Sequence, residues 1–271
     1  MPLTEFQQQV CRLISKRLRE TGEGYIAGGV ALNKVLKGGR ISRDIDLFHD
    51  TLLALESSWA RDKEILAESG LAVEIVRDAP GFKEAFVSRG ADRVLLQWTR
   101  DSAFRFFPLV SDDLLGLTLH PFDLATNKVL ALAGRLEPRD WVDVLECHDK
   151  IQPFGYLVWA ACGKDPGFNP SSLLSEARRS GRYTQDELDE LSFAGNVPDA
   201  GNLGVKWHGI LKQAEEICDT LKVTDNGVCV LEQDGNLCCR LPEDLKAGLK
   251  EKRLLFHRGS IKGAFPAFVQ Q

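Results

Sequence analysis

Long apolar runs are missing from this sequence of 271 residues. The longest, around Tyr156 to Cys162, is far too short to cross a bilayer, and no charged-then-apolar leader opens the chain. No membrane segment and no secretion signal are therefore expected. Paired cysteine spacings are missing too. The seven cysteines are an odd number with no CxxC pair, which reads as reduced thiols in a cytoplasm. Cys147 beside His148 makes no metal or thiol site, because adjacent side chains diverge on a helix. An excess of positive charge is also absent: the net charge is −5, and both halves carry that sign. No global field would draw in a polyanion. Nucleic acid would have to meet a local patch, such as Arg178, Arg179 and Arg182 or the Lys246–Arg253 stretch, and basic residues of this kind more often form a solvated helix face. There is no internal repeat, long linker or low-complexity segment. What remains, 44% hydrophobic and 27% charged residues, is an ordinary globular composition with chain enough for one or two domains.

The most informative stretch runs from Tyr25 to Phe48. A short apolar run (Tyr25, Ile26, Ala27) stops at Gly28 and Gly29. Apolar periodicity at Ala31, Leu32, Val35 and Leu36 then predicts a short helix, capped by Gly38-Gly39. Asp44-Ile45-Asp46-Leu47-Phe48 follows. Residues two apart on a strand share a face, so Asp44 and Asp46 project together while Ile45 and Leu47 point into a core. Two neighbouring carboxylates repel unless a cation neutralises them, and Mg²⁺ is the hard ion that prefers such oxygens. The glycines offer a loop whose N–H groups can approach a phosphate next to a helix N-terminus. A metal clamp and a phosphate cradle are the parts that phosphoryl or nucleotidyl transfer needs most.

This pattern resembles the signature of the nucleotidyltransferase superfamily, a glycine pair, a short helix and Asp-x-Asp on a strand. It is more closely similar to the AbiEii/AbiGii toxin family, whose first motif reads GG-T/S-AL…R-x-S-x-DIDLF. Gly28, Gly29, Ala31, Leu32, Arg40, Ser42, Asp44 and Asp46 stand at matching places. Val30 departs from it, where the family usually has a hydroxyl residue that touches phosphate. A second family signature, K-x-x-A-L-x-x-R-x-x-x-R-D-x-x-D, is matched by Lys128, Ala131, Leu132, Arg135, Arg139, Asp140 and Asp143. A third acid of the family aligns with Gln97, a neutral amide. Asp101, four residues on, lies about 13 Å along a strand and cannot simply stand in.

The resemblance implies a metal-dependent transfer of NMP from an NTP to an acceptor hydroxyl. Asp44 and Asp46 would bind Mg²⁺ (or Mn²⁺), and Gly28, Gly29 and Ser42 would hold the triphosphate. Arg40, Lys128 and Arg139 would meet nucleotide charge, and Asp143 would accept the attacking hydroxyl's proton or position Lys128. The family's precedents imply RNA, the tRNA end, as acceptor and an antitoxin as partner, as in type IV toxin–antitoxin relatives. A small molecule or protein acceptor is the first alternative. The second, motivated by Val30 and Gln97, is a nucleotide-binding or interaction module that has lost catalysis.

The expected fold is α+β: a small mixed sheet with flanking helices over residues 1–120, then a mainly helical region over 121–271 that supplies Lys128 and Asp143. Thr4 to Glu20 reads as an amphipathic helix with Phe6, Val10, Leu13, Ile14 and Leu18 inward and Arg12, Lys16, Arg17 and Arg19 on its other face. Leu52 to Glu68 reads as a helix and Leu71 to Val76 as a strand. Phe82–Arg89 and Arg93–Thr99 form a hairpin. Asp123 is expected to N-cap the helix of the second signature. Later helices are expected at Phe154–Cys162, Pro170–Ser180, Thr184–Phe193 with a Thr184/Glu187 capping box, Leu203–Leu221 and Pro242–Lys252. A small hairpin over 228–240 turns at Asp234-Gly235, and the tail is expected to be irregular. Lys164-Asp165 reads as a structural loop.

Overall fold

A computed structural model describes residues 3–221 and 226–266. Its elements in chain order are α1 (Glu5–Thr21), β1 (Tyr25–Ala27), α2 (Gly28–Leu36), β2 (Asp44–His49), α3 (Leu52–Glu68), β3 (Ala72–Ala79), β4 (Phe82–Arg89) and β5 (Asp92–Arg100). Then come β6 (Phe104–Arg105), β7 (Val110–Asp112), β8 (Gly116–Thr118), α4 (Pro121–Arg135), α5 (Pro138–Lys150), α6 (Phe154–Ala161) and α7 (Pro170–Ala177). The chain ends with α8 (Gln185–Asp189), α9 (Ala200–Leu221), β9 (Val228–Glu232), α10 (Pro242–Lys250), β10 (Leu254–Arg258) and β11 (Ser260–Ile261). The α+β expectation, a mixed sheet with helices followed by a mainly helical region, is what the structure has. None of the helices in the described residues is long and apolar enough to cross a membrane. Two compact units divide the chain. The first takes the described residues of Met1–Ala103, Leu109–His120 and Ser192–Gly195; the second takes those of Phe104–Pro108, Pro121–Leu191 and Asn196–Gln271.

The first unit is built on a sheet in the order β3-β4-β5-β2-β1-β8-β7. β2 runs parallel to β5, β1 parallel to β8, and the other neighbours are antiparallel. Alternation sorts its faces. Ile45 and Leu47 of β2, Ala85 and Val87 of β4, and Leu96 and Trp98 of β5 are buried, beneath α1 and α3. The intervening residues of these strands are half-buried on the opposite face. Trp59 of α3 meets Trp98 edge-on with centroids 4.8 Å apart. α1 starts where Thr4 and Gln7 form a capping box, which satisfies two of the amides a helix start leaves bare.

Arg17 is not on a solvent face, as the helical pattern placed it. Its guanidinium is buried and grips Asp62 of α3 through Nε at 2.6 Å and Nη2 at 2.8 Å, while Nη1 donates to Ser58 Oγ at 2.8 Å. Trp98 Nε1 donates to the same Asp62 carboxylate at 2.8 Å. Helical spacing reports direction at Cβ, and a long stem can still carry its charge inward to a partner.

His49, the last residue of β2, is fully buried on this packed face. Burial, followed by the nearby Arg17 cation, pushes its imidazole down from 6.5 to about 4. With the folded value below the unfolded one, the unfolded chain binds the proton first, so stability is full above pH 6.5 and falls as pH drops toward 4. The drop across that window should amount to about 3 kcal/mol. Urea unfolding of wild type and His49→Leu at pH 7 and pH 4.5 measures it; the variant should lose the His49 share of the acid sensitivity. Equal pH slopes in the two proteins would refute the assignment.

The second unit gathers α4–α7, α9 and α10 with two small antiparallel ladders, β9–β10 and β6–β11. Tyr156, Trp159, Ile217, Leu221, Val230, Leu245 and Leu254 form a buried cluster within it. The expected irregular tail is corrected here: β10 pairs with β9 from Leu254↔Glu232 to Arg258↔Val228, and β11 pairs with β6. The 228–240 hairpin is corrected with it. The chain does turn at Asp234-Gly235, where Gly235 has φ 86°, but its second arm makes only the isolated Leu231↔Leu237 bridge. β9 finds its ladder in the distant β10, a long-range pairing that no local turn signal announces.

Asp123 is also reassigned. It lies inside the first turn of α4 rather than at its cap, and its buried carboxylate accepts from the amides of Phe106 at 2.9 Å and Phe107 at 3.0 Å. Lys164 pairs with it at 2.8 Å and donates to Asn127 Oδ1 at 2.7 Å, so Lys164 is a structural tie, as its loop suggested. The Thr184/Glu187 capping box is present, but the helix it starts stops at Asp189.

Candidate functional site

The glycine pair opens α2. Gly28 has φ 64°, a left-handed conformation that costs a residue with a Cβ roughly 1–2 kcal/mol. Space demands glycine as well. A Cβ on Gly28 would stand 2.8 Å from Asp46 Cγ and closer still to Oδ2. At Gly29 it would stand 2.5 Å from Ser42 Oγ and 2.9 Å from Arg40 Nη2. Gly28, Gly29, Arg40, Ser42 and Asp46 thus come together at the first turn of α2, where the helix dipole favours negative charge. Gly28→Ala should lower stability by roughly 1–2 kcal/mol and displace the Asp46 carboxylate. Chemical denaturation measures the loss, and a variant as stable as wild type would contradict the packing described.

Asp44 and Asp46 are both half-buried, on the face of β2 opposite the buried Ile45 and Leu47. Ser42 Oγ donates to Asp44 Oδ1 at 2.9 Å. Asp46 stands in register with Ala27 of β1 and Gln97 of β5, so Gln97 is the next side chain on that face. Asp101 lies beyond the end of β5, exposed, with its carboxylate accepting from the Ser102 amide at 2.7 Å. Val30 is fully buried and belongs to the core of α2. That helix ends on Lys37 in the left-handed region, one residue before the glycines expected to cap it, with the Gly38 amide donating to Asn33 O at 3.2 Å.

Two supports of the loop from Arg40 to Ser42 were not legible in any motif. Gln7 of α1 donates through Nε2 to the Ser42 carbonyl at 2.7 Å, a buried bond. Ser192 and Phe193, expected to end a helix, instead run with Ala194 and Gly195 beside Gly39–Ile41. Ile41 N donates to Ser192 O and Ala194 N to Gly39 O, both at 2.7 Å, around an Arg40↔Phe193 bridge. A strand-like pairing of this kind leaves no short-range trace.

In the second unit, Lys128 of α4 is buried between two acids of α5. Its Nζ stands 2.9 Å from Asp140 Oδ1 and 3.0 Å from Asp143 Oδ2. Arg135 forks onto Asp140 at 2.6 and 3.0 Å. Burial alone would raise the Asp140 carboxyl; the Arg135 and Lys128 cations outweigh it and hold the group below its ordinary value. Arg139 lies half-buried in the first turn of α5. Cys147 is fully buried, which pushes its thiol well above the ordinary range, and His148 Nδ1 accepts from the Phe154 amide at 3.0 Å. Within the basic patches, Arg178 pairs with Glu215, Arg179 with Glu176 and Arg253 with Glu251.

Among the described residues, no group of three or more His, Cys, Asp or Glu side chains is arranged to hold a metal ion. The half-buried face of β2 instead offers two carboxylates and, from β5, one amide. These are all-oxygen donors beside a glycine whose missing Cβ leaves room for Asp46. Such a set fits Mg²⁺ or Mn²⁺, hard ions that take one or two carboxylates and complete their shell with water and phosphate oxygens.

No protein-family model and no curated protein matches the sequence. Solved structures match the fold, two of them over most of both chains. One is described as "putative nucleotidyltransferase from H. pylori", at 15% identity and a TM-score of 0.51, over 80% of this chain and 96% of that one. The other is JHP933 from Helicobacter pylori, at 14% identity and a TM-score of 0.50, over 81% of this chain and 96% of that one. At these identities the likeness is one of fold.

Proposed function

We propose that this chain is a nucleotidyltransferase, moving an NMP from an NTP to an acceptor hydroxyl. The observation that carries the reading is the half-buried acid pair Asp44 and Asp46 on one face of β2, set against the glycine start of α2, in a fold shared with a structure described as a "putative nucleotidyltransferase". In the transfer, the acceptor hydroxyl gives its proton to solvent as its oxygen bonds to the α-phosphorus, the bond from that phosphorus to the bridging oxygen breaks, and pyrophosphate leaves. Asp44 and Asp46 would hold a Mg²⁺ or Mn²⁺ ion, whose chemistry is to neutralise charge on the phosphates. Ser42 orients Asp44 through its hydrogen bond, and Gly28, Gly29 and Arg40 line the place for the triphosphate. Preorganised charge of this sort is where most of the rate comes from in such reactions.

Lys128, Arg139 and Asp143 receive their nucleotide roles from the resemblance to the AbiEii/AbiGii family. The Lys128–Asp143 ion pair favours the positioning role for Asp143 over proton acceptance. RNA at the tRNA end as acceptor, an antitoxin partner and a cytoplasmic setting belong to the same reading; the seven free cysteines suit a reducing compartment. A second reading is favoured by Val30 in the core and Gln97 beside Asp46: a nucleotide-binding module without turnover.

Incubation with α-³²P-NTPs and a cell extract, followed by sorting of label into RNA, protein and small molecules, separates these readings. Label in RNA supports the tRNA-end acceptor, and label elsewhere changes the acceptor. Calorimetric binding of Mg²⁺-NTP with no label transferred anywhere would replace the enzyme by the module.

A further inference from the structure

Glu84 belongs to no motif of the sequence, yet it stands on the face that carries the acid pair. Asp46 on β2, Gln97 on β5 and Glu84 on β4 are partners in successive strand registers. Their side chains therefore project from the same side of the sheet. Gln97 Nε2 donates to Glu84 Oε1 at 2.6 Å. A carboxylate can only accept, so the amide must turn its NH₂ toward Glu84. Its carbonyl oxygen is the end of the amide that Glu84 leaves unused, and Asp46 is the registered neighbour of Gln97 on β2. Glu84 keeps this bond although Arg77 of β3 stands in register on its far side; the Arg77 guanidinium lies over the Phe82 ring, 5.3 Å from its centroid.

We propose that Glu84 is a positioning residue for the cation site: it locks the Gln97 amide so that Oε1 is presented beside Asp46 as a neutral third oxygen ligand. The proposal rests on the reading of Asp44 and Asp46 as cation ligands. Its physical content is that the acid missing at position 97 is supplied one strand further out. An amide oxygen carries no charge and is a weak ligand. A carboxylate accepting from the same amide's NH₂ pushes electron density onto that oxygen, as carboxylates do behind metal-bound histidines. Direct ligation by Glu84 is not required, since β4 lies two strand spacings, roughly 9.5 Å, from β2.

The test is Mn²⁺ titration of the full chain, read from the paramagnetic resonance signal of free Mn²⁺. Five proteins are compared: wild type, Asp46→Asn, Glu84→Gln, Gln97→Glu, and the double variant Glu84→Gln/Gln97→Glu. Asp46→Asn should abolish binding. Glu84→Gln, which lets the amide flip, should weaken it about 10-fold. In the Gln97→Glu background no amide remains for Glu84 to orient, so the loss from Glu84→Gln should shrink to what its charge alone contributes. A general effect of the Glu84 charge, with no orientation of the amide, would weaken binding equally in both backgrounds. Far-UV circular dichroism checks folding; if Glu84→Gln does not fold, Glu84→Asp, with its shortened reach, should show part of the same weakening. Wild-type affinity in Glu84→Gln, or equal weakening in both backgrounds, overturns the proposal while leaving the acid pair in place. Wild-type affinity in Asp46→Asn overturns the reading on which it rests.

Discussion

An Asp46→Asn variant should lose divalent-cation binding and lower nucleotidyl transfer by about 10²–10³-fold or more, with the fold intact. The substitution is isosteric and keeps an oxygen against Gly28, so packing at the first turn of α2 is preserved. What it removes is a charge. Two carboxylates on one face attract a divalent cation more strongly than one carboxylate with two amides does, so the substitution weakens that driving force. Asp46 is half-buried, on the face opposite the packed Ile45 and Leu47, so unfolding free energy should stay within about 0.5 kcal/mol of wild type. Mn²⁺ binding, transfer of labelled nucleotide and urea unfolding on the same preparation measure all three. Unchanged turnover would remove the proposed cation site, and a large stability loss would make Asp46 a structural residue.

Lys128→Met should cost stability rather than leave it unchanged, on the order of 3–5 kcal/mol. Lys128 holds the buried carboxylates of Asp140 and Asp143 at 2.9 and 3.0 Å. Its removal strips a buried cation from two acids in a low-dielectric setting, and breaking one side of such a group is far costlier than replacing all of it. Arg135 still compensates Asp140, so the strain falls chiefly on Asp143. The double variant Lys128→Met/Asp143→Leu should accordingly recover part of the loss. Urea unfolding followed by tryptophan fluorescence, with Trp141 buried in the same helix, gives both values. A loss under about 1 kcal/mol in the single variant, on the scale of an exposed pair, would show that the buried network contributes little. A nucleotide role for Lys128 is then to be judged only on variants whose stability has been measured first.

Local signals set much of this architecture. Thr4 and Gln7 start α1, Leu52–Glu68 is a helix with the bounds its pattern gives, and alternation along β2 separates Asp44 and Asp46 from Ile45 and Leu47. Each depends on residues within a few positions of one another, which is why a chain read by itself reveals them. The acid pair and the glycine pair were visible for the same reason. That Gly28 must be glycine because Asp46 lies on it, and Gly29 because Ser42 and Arg40 do, was not. Nor was the return of residues 192–195 beside Gly39–Ile41, the pairing of β9 with β10, or the hydrogen bond between Gln97 and Glu84. The sequence alone determined which side chains share a face, because the strand and helix periods are properties of the backbone. Tertiary structure decided which faces meet, since strand registers and buried charges are settled only when distant segments compete for the same partners.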